Sequence, residues 1–245
     1  MRYPPAGVLP GDPHLPQIES PILPSNRPLA IFCDFDGTFS VQDVGSTLAQ
    51  RLLPEKRAGL WARFERGEFT PWTYAMALLD GLVYSEKELE AFLETIDLDP
   101  GAEAMLAWCE SEGVPFRILS DGFDWNLDRL QAMKGVRFEH NANHLEYEGD
   151  TWRLSPGRQN EACGCGTGSC KRGLIGLYRE ANPDSFCVHI GNGRVSDLCG
   201  ALAADLAFAK DTLAPALDEL GEDYVAFDTL HDVIAILQVG REAGA

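Results

Sequence analysis

The chain has 245 residues, 45% hydrophobic and 24% charged, with a formal net charge of −18. A chain of this length can bury about 70% of its unfolded surface, which excludes both a stapled mini-protein and a disordered segment and leaves room for one ordinary domain plus a small one. The charge excludes a generic nucleic-acid binder and argues against an anionic membrane surface.

Met1 to Asn26 is Pro-rich and lacks the apolar middle of a signal peptide. It reads as an N-terminal arm, residues 1–27, either solvated or draped on the surface. No apolar run approaches the roughly 18 residues of a membrane span. Seven cysteines without an export signal point to reduced thiols and a cytoplasmic protein.

Leu29-Ala30-Ile31-Phe32-Cys33 is a continuous apolar run of the kind found in strands buried on both faces, and it stops at Asp34-Phe35-Asp36-Gly37-Thr38. Residues 43–100 then carry helical spacings of their own. Leu48 and Leu52, and Leu60 and Phe64, are i, i+4 pairs. Thr70-Pro71 is a cap and first turn ahead of Trp72, Met76 and Leu79, and Ser85-Glu86-Lys87-Glu88 is a capping box. The segment reads as a helical cap inserted into the main domain, the alternative being that its helices belong to the main core.

Further strands are expected at 115–119, 186–190, 206–209 and 225–227, each ending in polar or glycine residues and separated by helical patterns such as Met105/Cys109, Leu127/Leu130 and Leu174/Leu177. This alternation predicts an α/β fold, a doubly wound parallel sheet formed by 28–42 and 101–240, with the ligand crevice at the strands' carboxyl ends. Within it, 139–170 reads as an insertion. Leu145–Tyr147 and Thr151–Leu154 flank Glu148-Gly149-Asp150 as a β-hairpin, and a Gly- and Cys-rich loop follows.

Two carboxylates at i, i+2 repel unless a cation lies between them, and a hard divalent ion such as Mg²⁺ prefers oxygen ligands. One acid can then attack phosphorus while the other moves a proton. With its ordered motifs, the chain resembles the haloacid dehalogenase superfamily over about residues 28–237. The resemblance implies a Rossmann-like core and a phosphatase using one Mg²⁺. Asp34 would be the nucleophile, Asp36 the acid/base, Ser120 the phosphoryl-binding hydroxyl and Lys171 the charge-neutralising cation. Gly191-Asn192-Gly193-Arg194-Val195-Ser196-Asp197 resembles the acidic metal motif, with Asn192 where the family usually has Asp. The implied metal ligands are Asp34, Asp36, Asn192 and Asp197, with Asn192 ahead of Asp197 as the third. The second acid favours a phosphatase over a dehalogenase.

Resemblance to the phosphoserine phosphatase branch implies a substrate-binding role for Asp43, and resemblance to phosphocholine/phosphoethanolamine phosphatases implies one for Asp121, with Gly122 beside it, while the insertion with Cys163-Gly164-Cys165 and Cys170-Lys171 resembles that of the methionine-salvage phosphatase family. The implied partner is a small phosphorylated metabolite, with no nucleic acid or membrane. Arg63 and Arg66 read as solvated helix residues, with contact to a substrate carboxylate as the alternative. A weakly catalytic phospho-ligand-binding protein, motivated by Asn192, and a phosphotransferase remain as other readings. Cys163, Cys165 and Cys170 form a C-x-C-x₄-C cluster that favours a loop of reduced thiols. Structural zinc would need a fourth ligand from His140, His144 or another cysteine, and a reversible disulfide is the third option. Cys33, Cys187 and Cys199 read as small core residues and His189 as a satisfied core histidine.

Overall fold

The apolar run Leu29–Cys33 forms β1, flanked on one side by β2 (Phe116–Phe123) and on the other by β5 (Phe186–Gly191), both parallel to it. These assignments come from a computed structural model that describes residue 21 and residues 23–244. Most of the expected N-terminal arm therefore lies outside the described residues. Its end is inside them: Leu23 is buried, and its N–H donates to Gly240 O at 3.1 Å.

Beyond β2 lie β3 (Glu139–Glu148) and β4 (Thr151–Ser155), and beyond β5 lie β6 (Leu206–Ala209) and β7 (Val225–Ala226), giving the order β4-β3-β2-β1-β5-β6-β7. All pairings are parallel except β3 with β4. The chain adds strands to one side of β1 and then crosses to the other, so the switch point lies at the carboxyl end of β1.

The period-2 alternation of β1 builds two packed layers. Ala30 and Phe32 join Leu119, Cys187 and Ile175 of α7 (Lys171–Ala181). Ile31 and Cys33 face the larger cluster, which includes Met105 of α5 (Ala102–Ser111), Leu127 and Leu130 of α6 (Asp124–Lys134), and Leu230, Val233 and Leu237 of the C-terminal helix Leu230–Gly244.

The segment 43–100 holds α1 (Val44–Leu52), α2 (Pro54–Glu65), α3 (Pro71–Leu79) and α4 (Glu86–Leu93). Thr70 and Ser85 cap α3 and α4 in capping boxes with Thr73 and Glu88. The two ends of the segment meet in one antiparallel bridge. Val41 N donates to Asp97 O at 2.8 Å, and Asp99 N to Phe39 O at 2.9 Å. Trp72, Leu79, Leu89, Phe92 and Leu93 nevertheless share one apolar cluster with the sheet's Ile31 and Ile118.

The hairpin forms as the turn residues require: Gly149 and Asp150 have φ of 58° and 59°, the type I′ combination. One boundary differs from the sequence reading. Glu139, His140 and Asn141 pair in parallel with Arg117, Ile118 and Leu119, so the start of the expected insertion is part of the main sheet. The run Glu-His-Asn-Ala-Asn carries no apolar signal because only its Ala142 and Asn143 are buried.

Asp99 joins segment 43–100 to the core. Its Oδ1 accepts from Gly101 N at 2.8 Å and from Leu230 N at 3.0 Å, at the starts of two helices. Asp99→Ala orphans two buried donors and should cost about 1–3 kcal/mol in urea unfolding, with Asp99→Asn recovering most of it. Equal losses in the two variants would contradict this role.

Candidate active site

The β1 strand delivers Asp34 to the sheet edge, and Gly37, at φ 78°, turns the chain back at once. A Cβ on Gly37 would lie 2.4 Å from Asn192 Nδ2, so the two loops meet where only glycine fits. Within this turn Asp36 Oδ1 accepts from Val44 N at 2.8 Å and its Oδ2 accepts from Ser120 Oγ at 3.2 Å. Ser120 lies on β2, and its hydroxyl accepts from Gly122 N at 2.9 Å. A Cβ on Gly122 would stand 3.0 Å from both Asp36 Oδ2 and Ser120 Oγ, so glycine keeps this corner open.

Lys171, at the start of α7, is fully buried. Its Nζ donates to Asp34 Oδ1 and Asp197 Oδ1. Asp197 is further bound by His189 Nε2 at 3.1 Å and by the backbone N–H groups of Asn192 at 3.1 Å and Gly193 at 2.7 Å. Burial alone would push Lys171 down, but the Asp197 and Asp34 charges hold it above its usual value. Asp197 is pushed up by burial and pulled further down by Lys171 and His189. Asp34 is left under-compensated: burial, then the Asp197 charge, lift it well above the usual carboxylate range against Lys171. Burial first, and then the Asp43 charge, push Asp36 up to about 7. A carboxyl there is available as acid or base near neutrality.

The four implied metal ligands are thus unequal. Both Asp197 oxygens are engaged by protein donors, and both Asp36 oxygens accept hydrogen bonds. Asp34 and Asn192 supply the remaining oxygen donors, Asp34 being itself the buried carboxylate that lacks full counter-charge. An oxygen-only donor set and excess negative charge fit a hard divalent cation. Asp211, at the end of β6, was not singled out by sequence reasoning. It accepts from Asn192 Nδ2 at 3.3 Å and has φ 48°, rare for a residue other than glycine. Its position directly beyond a buried strand was the available signal.

The expected substrate residues have structural partners. Asp43 caps α1, accepting from Ser46 N at 2.6 Å. Asp121 Oδ1 accepts from Gly168 N, Ser169 N and Asn143 Nδ2 at 2.9, 3.0 and 3.1 Å, so it ties the Cys-rich loop to the end of β2. Arg63 and Arg66 pair with Glu68 on the surface. The cysteine cluster differs from its sequence reading: Cys199, expected as a core residue, joins Cys163, Cys165 and Cys170, all four sulfurs lying within 4.8 Å of one another. The spacing hid this because Cys199 follows on α8 (Leu198–Ala201), folded back against α7. His140 and His144 lie elsewhere, facing Asp128 and Asp124.

A profile of haloacid dehalogenase-like hydrolases matches residues 31–201. The chain belongs to that family. Among curated relatives, the 2-hydroxy-3-keto-5-methylthiopentenyl-1-phosphate phosphatase of Geobacillus kaustophilus is 30% identical over 217 residues, 86% of this chain and 96% of the relative. The enzyme of the same name from Brevibacillus brevis is 28% identical over 87% of this chain and 96% of its own length. Among solved structures, a phospho-aspartyl intermediate analogue of phosphoserine phosphatase aligns over 85% of this chain and 98% of its own, with a TM-score of 0.64 and 16% identity. A probable phosphoserine phosphatase from Vibrio cholerae covers 91% of this chain and 68% of its own, with a TM-score of 0.68 and 21% identity. The chain is an enzyme of the phosphatase class within its family.

Removing Lys171 would leave Asp34 and Asp197 facing each other without a counter-charge. Lys171→Ala should cost about 3–5 kcal/mol of stability, and adding Asp197→Asn should restore part of it. A strictly additive double mutant would contradict the buried pairing.

Proposed function

We propose that the protein hydrolyses a small phosphomonoester through a phosphoryl-Asp34 intermediate, with Mg²⁺ at the site. The observation that carries this reading is the Asp34–Lys171–Asp197 ion cluster next to the Asp36–Ser120 pair at the carboxyl edge of the sheet. Asp34 and the Asn192 amide oxygen would hold the cation, which supplies charge neutralisation at the phosphate oxygens.

The steps follow from the residues. Asp34 is held by Lys171, and its carboxylate attacks phosphorus in line. A bond from Asp34 oxygen to phosphorus forms and the ester P–O bond breaks. Asp36 gives its proton to the departing oxygen. Ser120 Oγ and nearby backbone N–H groups take up the phosphoryl oxygens. Water then gives a proton to Asp36 and attacks phosphorus. The acyl-phosphate P–O bond breaks, inorganic phosphate leaves, and Asp34 returns as a carboxylate beside a protonated Asp36.

The helices of 43–100, whose two ends meet at the Ser40–Leu98 bridge, serve as a cap that opens for substrate and closes against water. Asp43, Asp121 and Gly122 belong to its facing walls. The names of the curated relatives make an enol phosphate of the 2-hydroxy-3-keto-5-methylthiopentenyl type the first substrate to try. A cytoplasmic setting accords with the likeness to metabolic phosphatases.

Asp34→Asn should keep the fold and lose turnover by about three orders of magnitude or more. Asp36→Asn should slow an alkyl phosphate by about 10²–10⁴ and an aryl phosphate much less, because a good leaving group needs no proton. Removal of divalent ions with EDTA should abolish turnover, and Mg²⁺ should restore it. Ligand binding without turnover in wild type with Mg²⁺ would instead support a binding protein, the reading favoured by Asn192.

A further inference from the structure

We propose that Cys163, Cys165, Cys170 and Cys199 form a structural zinc site that fastens the Cys-rich loop to α7 and α8. Their four sulfurs lie within 4.8 Å of one another. Zinc with Zn–S bonds of about 2.3 Å holds four thiolates about 3.8 Å apart, so small side-chain adjustments close the tetrahedron. Four thiolates in that arrangement select zinc over hard cations.

The surroundings are built for thiolates. Gly173 N donates to Cys170 Sγ at 3.4 Å. Cys165 Sγ and Thr167 Oγ1 lie 3.1 Å apart. Gly164 and Gly166 both have left-handed φ, 71° and 69°. Each follows a cysteine, so the loop folds tightly enough to present Cys163 and Cys165 to one point. Cys165, Cys170 and Cys199 are buried and Cys163 is half-buried, leaving an edge for metal entry.

The arrangement needs a fastener. Residues 156–170 carry neither helix nor strand, yet the loop is wedged against α3 and β3. Trp72 N at the start of α3 donates to Gly166 O at 3.1 Å, a Cβ on Gly166 would meet Thr70 Cβ at 2.9 Å, and a Cβ on Gly168 would meet Asn143 Oδ1 at 2.3 Å. Cys170 immediately precedes Lys171, and Cys199 follows Asp197 by two residues. A Cβ on Gly200 would stand 3.0 Å from Lys171 Cβ, so α8 packs directly on α7 here. Zinc at the four sulfurs would lock the loop to the backbone on both sides of the buried ion pair. The free energy of metal binding would add to folding.

The full chain, expressed with zinc in the medium and purified without chelator, tests this by elemental analysis and thiol titration. The expected result is one zinc per chain, released together with the four cluster thiols by an organomercurial. Cys163→Ser, at the half-buried ligand, should retain only a small fraction of one zinc and melt lower, while Cys109→Ser, outside the cluster, should keep the full equivalent. Metal-free protein with four freely reactive thiols, an intact mass showing a disulfide, or iron in place of zinc would overturn the proposal. None of these readouts depends on phosphatase activity.

Discussion

A lysine ammonium is buried between two carboxylates, and much of the molecule can be read as the cost and the use of that arrangement. Lys171 is among the largest fully buried side chains, and its ammonium pairs with Asp34 and Asp197. Desolvating such groups is expensive, and it is tolerable only when each remaining lone pair finds a donor. Asp197 finds them in His189 and in two backbone amides of its own loop. Asp34 does not, and that imbalance is the chemical resource. On the proposed mechanism, this under-compensated carboxylate would draw a divalent cation and with it the phosphate that Lys171 alone would not hold in a chain of charge −18.

The fold brings the four elements of this cluster together at one switch point. Asp34 ends β1, Ser120 lies on β2, and Asn192 follows β5, the two strands that flank β1. Lys171 comes from the start of the helix that packs on one face of those strands. The corner is so close that glycine stands at 37 against Asn192, at 122 against Asp36, and at 200 against Lys171. Rigid strands set the acids, and the helix set by Cys170 and its neighbours sets the cation. Segment 43–100 meets this rigid corner at the Ser40–Leu98 bridge and through the Val44 N–H on Asp36, while its helices share the larger apolar cluster.

The strands of the parallel sheet were legible because strands buried on both faces are uninterrupted apolar runs, and their ends were marked by acids and glycines. The caps at Thr70 and Ser85 and the turn at Gly149-Asp150 were legible from local chemistry alone. The first half of β3 was not, because a strand with mixed burial and polar partners carries no apolar run. Asp121 illustrates a second limit: its substrate role came from resemblance alone, and nothing local in the sequence signals that its carboxylate accepts from Asn143, Gly168 and Ser169. Cys199 illustrates a third, since only the packing of α8 on α7 brings a cysteine far along the chain to the other three.

The claim on which this account rests is that Asp34 itself carries the phosphoryl group during turnover. Rapid acid quench during steady-state turnover with Mg²⁺, followed by borohydride reduction and peptide mass spectrometry, reads this directly. The account predicts one reduced aspartyl site per chain, at Asp34, absent without substrate and absent in Asp34→Asn. Sustained phosphate release with Asp34 unmodified at every time point, or with the phosphoryl group on another residue, would contradict it.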